Sequence, residues 1–162
     1  MTLHATAKVI NYEMSIRKFL VDNLQTIEGI ELLWDITVPD PDLLNQMLSF
    51  SKWVAINLGD MDRGEFSRAF FEMYLTTRND PDGLILTELS DTVMGYLSDT
   101  DVPHGMKRIQ FYETTINPNN AALWTSIGGI LVQDVTESGR IDYGDGLKYK
   151  ILTVVTRFAS KV

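Results

Sequence analysis

The run FSRAFFEMYLTTR, Phe66 to Arg78, alternates with period two, yet both of its faces carry large apolar groups. One face holds Ala69, Phe71, Met73 and Leu75; the other holds Phe66, Arg68, Phe70, Glu72, Tyr74 and Thr76. A strand covered on one side only alternates apolar with polar. A second face that mixes aromatic rings with charges suits a surface that meets another protein, or one roofed by its own chain. Upstream, KWVAINLG predicts a strand, and the turn-rich connector GDMDRGE joins the two runs into a β-hairpin.

Helical spacing appears in two places. Ile16, Phe19, Leu20, Leu24 and Ile27 predict an amphipathic helix over Tyr12–Thr26, with Asn11 as a cap and Gly29 as a terminator. Leu86, Leu89, Val93, Tyr96 and Leu97 form a second stripe, with Asp80 placed to cap it and Pro81 expected at the first helical position. Between the first helix and the hairpin, GIELLWDITV reads as a short strand and Pro41–Phe50 as one or two helical turns. After the second helix, KRIQFYETTI, LWTSIGGILVQDVT and LKYKILTVVTRFA read as strands. NPNN is expected as a turn and ESGRIDYGDG as a long hairpin tip. Gly128 and Gly129 predict a bulge or a close approach of backbone. The order is that of a single α+β domain over residues 1–162 with a mainly antiparallel sheet.

Charge adds a constraint. Twenty-two carboxylates against fourteen Lys and Arg give a net charge of −8, the wrong sign for gripping nucleic acid. The excess is uneven. Asp22, Glu28, Glu31, Asp35, Asp40 and Asp42 fall in a stretch without a base, and so do Asp80, Asp82, Glu88, Asp91, Asp99 and Asp101. Such stretches make either solvated acidic faces or a surface that repels a polyanion. The chain has no cysteine, which excludes disulfides and thiolate metal sites. Neither a signal peptide nor a membrane span is expected, since no long apolar run exists.

Candidate chemistry is sparse. His4 and His104 are the two histidines, and no GxSxG turn or Gly-rich phosphate loop is present. Asp60, Asp62 and Glu65 begin like a calcium loop, but the position that needs a bidentate Glu is Phe71. Turn chemistry explains these acids, so no enzyme activity, metal or cofactor is expected.

One order of elements then carries the reading. An amphipathic helix with its exit strand is followed by a hairpin whose second arm is FSRAFFEMYLTTR. A turn leads into the helix PDGLILTELSDTVMGYL, and then come KRIQFY and two strands ending in LKYKILTVVTRF. This chain resembles the tail terminator proteins of tailed bacteriophages, also called tail completion or tail-to-head joining proteins. The resemblance covers nearly the whole chain and rests on order, length and the strand–turn–acidic helix join.

It implies a structural subunit that caps the tail tube as a hexameric ring, stops tail polymerisation and presents a face to the head–tail connector. Its partners would be other copies of itself, the tail tube protein, the connector or other neck proteins and, in contractile tails, the sheath. DNA would pass through without specific binding. The location would be the head-proximal end of the virion tail, after synthesis in the host cytoplasm. The family has no catalytic residues to carry over.

On this reading Phe66, Arg68, Phe70, Glu72 and Tyr74 become a subunit contact, the alternative being that the first helix covers Phe66, Phe70 and Tyr74. Glu88 and Asp91 are candidates for the channel lining, and Asp40, Asp42, Arg140 and Tyr143 for partner-contact loops. The alternative function is another neck component, such as a head-completion or stopper protein, or a contractile injection-system adaptor.

Overall fold

Ala69, Phe71, Met73 and Leu75 are buried, and the apolar stripes of both helices join them in one core. The computed structural model describes residues 9–35, 50–62, 67–99, 101, 105–116, 122–144 and 146–160. In chain order these form α1 (Val9–Leu20), a single π-helical turn (Val21–Gln25), β1 (Glu31–Trp34), β2 (Lys52–Asp62), β3 (Ser67–Arg78), α2 (Leu84–Leu97), β4 (Ser98–Asp99), β5 (Gly105–Met106), β6 (Arg108–Ile116), β7 (Ala122–Glu137), β8 (Ile141–Gly144) and β9 (Leu147–Ser160). The fold is α+β. Pro41–Phe50 (all but Phe50 itself) and NPNN lie outside the described residues.

The main sheet runs β1-β2-β3-β9-β7-β6, and β8 adds to β9 beyond the end of β7. Neighbours pair antiparallel except β1 with β2, which are parallel. The expected hairpin is present: β2 and β3 pair from Lys52↔Thr77 to Asp62↔Arg68, with a bulge between Leu58 and Met61. Strand β9 is last in the chain and central in the sheet. It pairs with β3 along one edge and with β7 and β8 along the other.

Tyr12, Ile16 and Leu20 of α1 and Leu24 of the π turn meet Leu86, Leu89, Val93 and Leu97 of α2 over this sheet. Each such side chain contributes about 1.5–3 kcal/mol on burial. The ring of Tyr12 stacks on Phe158 at 5.1 Å. Its hydroxyl lies 2.7 Å from Thr156 Oγ1, and Thr156 in turn donates to the Ala69 carbonyl at 2.9 Å. Thr156 has one proton to give, so Tyr12 is the donor in the first bond. Burial pushes the Tyr12 phenol up to about 12.

Two polar residues of α1 do a different job. Strand β6 is an edge, and edges expose unpaired amides. Ser15 Oγ accepts from Tyr112 N at 2.9 Å and Asn11 Oδ1 accepts from Thr114 N at 3.2 Å, so the helix closes that edge. Asn11 is therefore part of α1, not a cap before it.

Three local expectations are corrected. The α-helix ends at Leu20 and continues as a π turn closed by Thr26 N to Val21 O at 2.9 Å. That wider turn rotates the residues after it, and Ile27 leaves the stripe with 65% of its surface exposed. Pro81 is not the first helical residue: α2 begins at Leu84, with Gly83 at the capping position in the left-handed region (φ 74°). Glycine has no capping side chain, and the oxygen comes from Asp80, which accepts from Ile85 N at 3.3 Å and Leu86 N at 2.9 Å. The ESGRIDYGDG tip is shorter than expected, because β8 pairs back onto β9. This hairpin grips the turn before α2: Arg140 donates to the Asp82 carbonyl at 2.6 Å and Lys148 to the Pro81 carbonyl at 2.7 Å. A Cβ on Gly83 would run into the Arg140 guanidinium.

Burial raises the Asp80 pKa, but the Leu86 and Ile85 amides, the Thr77 hydroxyl and the nearby Lys148 more than offset it, and the net shift is downward. A depressed carboxyl stabilises the fold above its unfolded value of about 4, and that stability is lost as pH falls through the folded value. Asp80→Ala is expected to lower stability by about 1–2 kcal/mol at pH 7. Urea unfolding at pH 7 and at about pH 3 should show the difference from the native chain shrinking in acid. An equal difference at both pH values would mean that the carboxylate charge plays no part in the cap.

Candidate functional site

The face of the sheet opposite the helices belongs to the other parity of each strand, and register places its residues in rows. One row runs Asn57, Glu72, Thr153 and Thr136 across β2, β3, β9 and β7; the next runs Phe70, Val155 and Asp134. Beyond it lies the row Asp62, Arg68, Arg157, Leu131 and Arg108, which crosses the sheet from β2 to β6. Cross-strand neighbours share a face and stand about 5 Å apart.

Two glycines shape this surface. A Cβ on Gly59, in the β2 bulge, would come within 2.5 Å of the Phe70 ring, so the ring lies flat across that backbone. A Cβ on Gly129 would come within 2.9 Å of the Arg108 stem, which lies flat in the same way. The expected close approach at Gly129 is thus made by a side chain. The expected bulge falls at Ile127, just before Gly128, where the pairing passes from Phe111↔Gly128 to Tyr112↔Ser126. A groove of about 310 Å³ is lined by Asp60, Asp62, Arg68, Phe70 and Val155.

The residues expected at a subunit contact fall together here. Arg68 and Phe70 are exposed, Phe70 by 36%, while Glu72 and Tyr74 are half-buried. Phe66 lies outside the described residues. Tyr74 donates to Glu72 Oε2 at 2.9 Å, and its ring sits 6.2 Å from that of Tyr149. Burial first, and then this bond to a carboxylate, raise the Tyr74 pKa. The alternative that the first helix covers Phe70 and Tyr74 is overturned. α1 packs on Phe71 and Phe158, which point the other way from Phe70.

The face is not uniform. At the end where β3 finishes, Trp53 is buried with Leu147 and against Leu33, and the Arg78 guanidinium sits 5.6 Å from its ring centre. Among the described residues, the uncovered part is the other end, around Phe70, Val155 and the arginine row.

The remaining candidates lie apart. Glu88 and Asp91 are exposed on α2, in the layer on the opposite side of the sheet. Arg140 is held by the Asp82 carbonyl, and Tyr143 is 54% exposed with its ring 6.3 Å from Tyr149. Asp40 and Asp42 lie outside the described residues, as do His4, His104 and Glu65. Sequence reasoning missed the arginine row, because its members come from three strands distant in the chain. The available signal was an Arg near the end of each strand run, in KRIQF and in VTRFA.

Among the described residues, no group of three or more His, Cys, Asp or Glu is placed to hold a metal ion. Among the same residues, no helix is long and apolar enough to cross a membrane. What the surface offers is contact: aromatic rings, aliphatic groups and charges side by side on one sheet face.

No family model matches the chain, and no curated protein matches it. Fifteen chains of solved structures do. One superposes with a TM-score of 0.58 at 10% identity, over 96% of this chain and 99% of the other. At that identity the likeness is one of fold alone.

The face assignment has a direct test. Phe70→Ser and Tyr74→Ser should each change unfolding free energy by less than about 1 kcal/mol, whereas Phe71→Ala should cost about 3–5 kcal/mol. Denaturant melts that rank Phe70 with Phe71 would place Phe70 in the core.

Proposed function

We propose that this protein is a structural subunit of the phage virion neck, a tail terminator. It caps the tail tube as a hexameric ring, stops further polymerisation and forms the surface to which the head connector binds. The observation that carries the reading is the one-sided sheet. Both helices cover one face, and the uncovered end of the other face carries Phe70, Val155, Arg68 and Arg157 with no covering element among the described residues.

A lone subunit gains nothing from flat rings beside unpaired charges on a sheet surface, whereas a ring subunit needs such a surface for its neighbours. The order of elements agrees with the family resemblance, and so does the scarcity of catalytic groups. The net charge of −8 suits a ring through which DNA must slide, since a negative wall does not hold phosphates. The partners on this reading are other copies of the chain, the tail tube protein and the neck.

Growth of the tube supplies the test. Tails assembled without this protein should run past their normal length, and adding the purified protein during assembly should restore a uniform length. Length distributions measured on electron micrographs give the answer. Tails of normal length in its absence would sink the proposal.

A further inference from the structure

Arg68 and Arg157 stand directly opposite each other on β3 and β9, and Arg108 lies further along the same row. All three are exposed, and among the described residues none of their side chains forms an ion pair or a hydrogen bond. Asp62, in register with Arg68, and Asp134, one row on, flank the row without reaching ion-pair distance. Like charges directly opposite on a sheet repel. In a chain with eight excess negative charges, this is a concentrated basic strip.

Its apolar border is Phe70 and Val155, one row away, with Leu131 within the row. The outer side of α2 carries the complement. Leu84 and Ile85 are exposed in its first turn, Leu84 by 65%, and Glu88 and Asp91 are exposed along the next turns. These two acids also form no ion pair among the described residues.

We propose that the arginine row and its apolar border receive the outer side of α2 from a second copy of this chain. Residues three apart on a helix stand about 5–6 Å from each other, and opposed residues on neighbouring strands about 5 Å. Glu88 and Asp91 therefore match the spacing of Arg68 and Arg157, and a guanidinium can take a carboxylate with two parallel bonds. Leu84 and Ile85 precede Glu88 by one helical turn. A helix laid across the strands with Asp91 over Arg68 and Glu88 over Arg157 brings Leu84, one turn back, over the exposed Leu131 of the same row. Charge pairs and an apolar pair thus fall in step.

The two surfaces lie on opposite sides of one sheet, so the contact is head-to-tail, which closes into rings or runs on as filaments. This deepens the ring-subunit reading and rests on it for the ring's closure. It gives Glu88 and Asp91 to the subunit contact rather than to the channel wall.

Charge exchange tests it, with sedimentation velocity across protein concentration as the readout. R68E/R157E and E88K/D91K should each keep the native melting curve and associate on the order of 100-fold more weakly than the native chain. A mixture of the two variants should regain association, because each reversed face then meets its complement. If a reversal variant fails to fold, R68Q/R157Q and E88Q/D91Q replace it and should weaken association in the same direction.

Native association in either single variant would overturn the proposal. So would a mixture that stays dissociated, or a native chain that stays monomeric up to about 1 mM. A duplex DNA fragment bound by the native chain at low salt and released by R68E/R157E would assign the row to phosphates and overturn it too. Normal tail length control by R68E/R157E would remove this interface while leaving the tail terminator reading intact.

Discussion

Strand β9 is hydrogen-bonded along both edges, and both helices dock on one side of the sheet it centres. The rest of the fold depends on that one-sidedness. The buried parity of each strand is fixed by the helix layer, and a slip of one residue in β9 would turn Leu152, Val154 and Phe158 outward. The Tyr12–Thr156–Ala69 chain of hydrogen bonds pins that register from the helix side. Among the described residues, the same constraint leaves one end of the second face without a layer, and so makes it a surface available to other molecules.

Polar contacts then secure the borders of the layer. Asn11 and Ser15 close the β6 edge, Asp80 caps α2 from three residues before the capping position, and Arg140 and Lys148 tie the β8–β9 hairpin to the turn beneath α2. Glu137 completes the set: it accepts from Ser90 of α2 at 2.6 Å and from Lys150 of β9 at 2.7 Å, and the Lys150 bond, followed by the Ser90 bond, lowers its pKa. These contacts hold the helices to one side of the sheet, whose register sets the rows of residues on its other face.

Much of this was legible in the sequence, for local reasons. The β2–β3 hairpin follows from two alternating runs around a Gly- and Asp-rich connector, and the α2 stripe from apolar residues three and four apart. The same alternation identified Arg68, Phe70, Glu72 and Tyr74 as sharing one face. What escaped depends on pairings remote in sequence. Nothing near β9 says that it inserts between β3 and β7, and the arginine row exists only once that insertion is made. The π turn that exposes Ile27, and the reach of Asp80 past Pro81 to the amides of Ile85 and Leu86, are small backbone choices that spacing rules do not resolve.

The central claim is that this fold works as a ring at the head-proximal end of a phage tail. Averaged electron cryo-microscopy of that end, in a virion encoding this chain, tests it most directly. The account predicts six copies of this α+β subunit in a layer one subunit thick, seated on the last ring of the tube. A tail end whose density holds no such subunit, or holds it in a layer without six-fold symmetry, would contradict it.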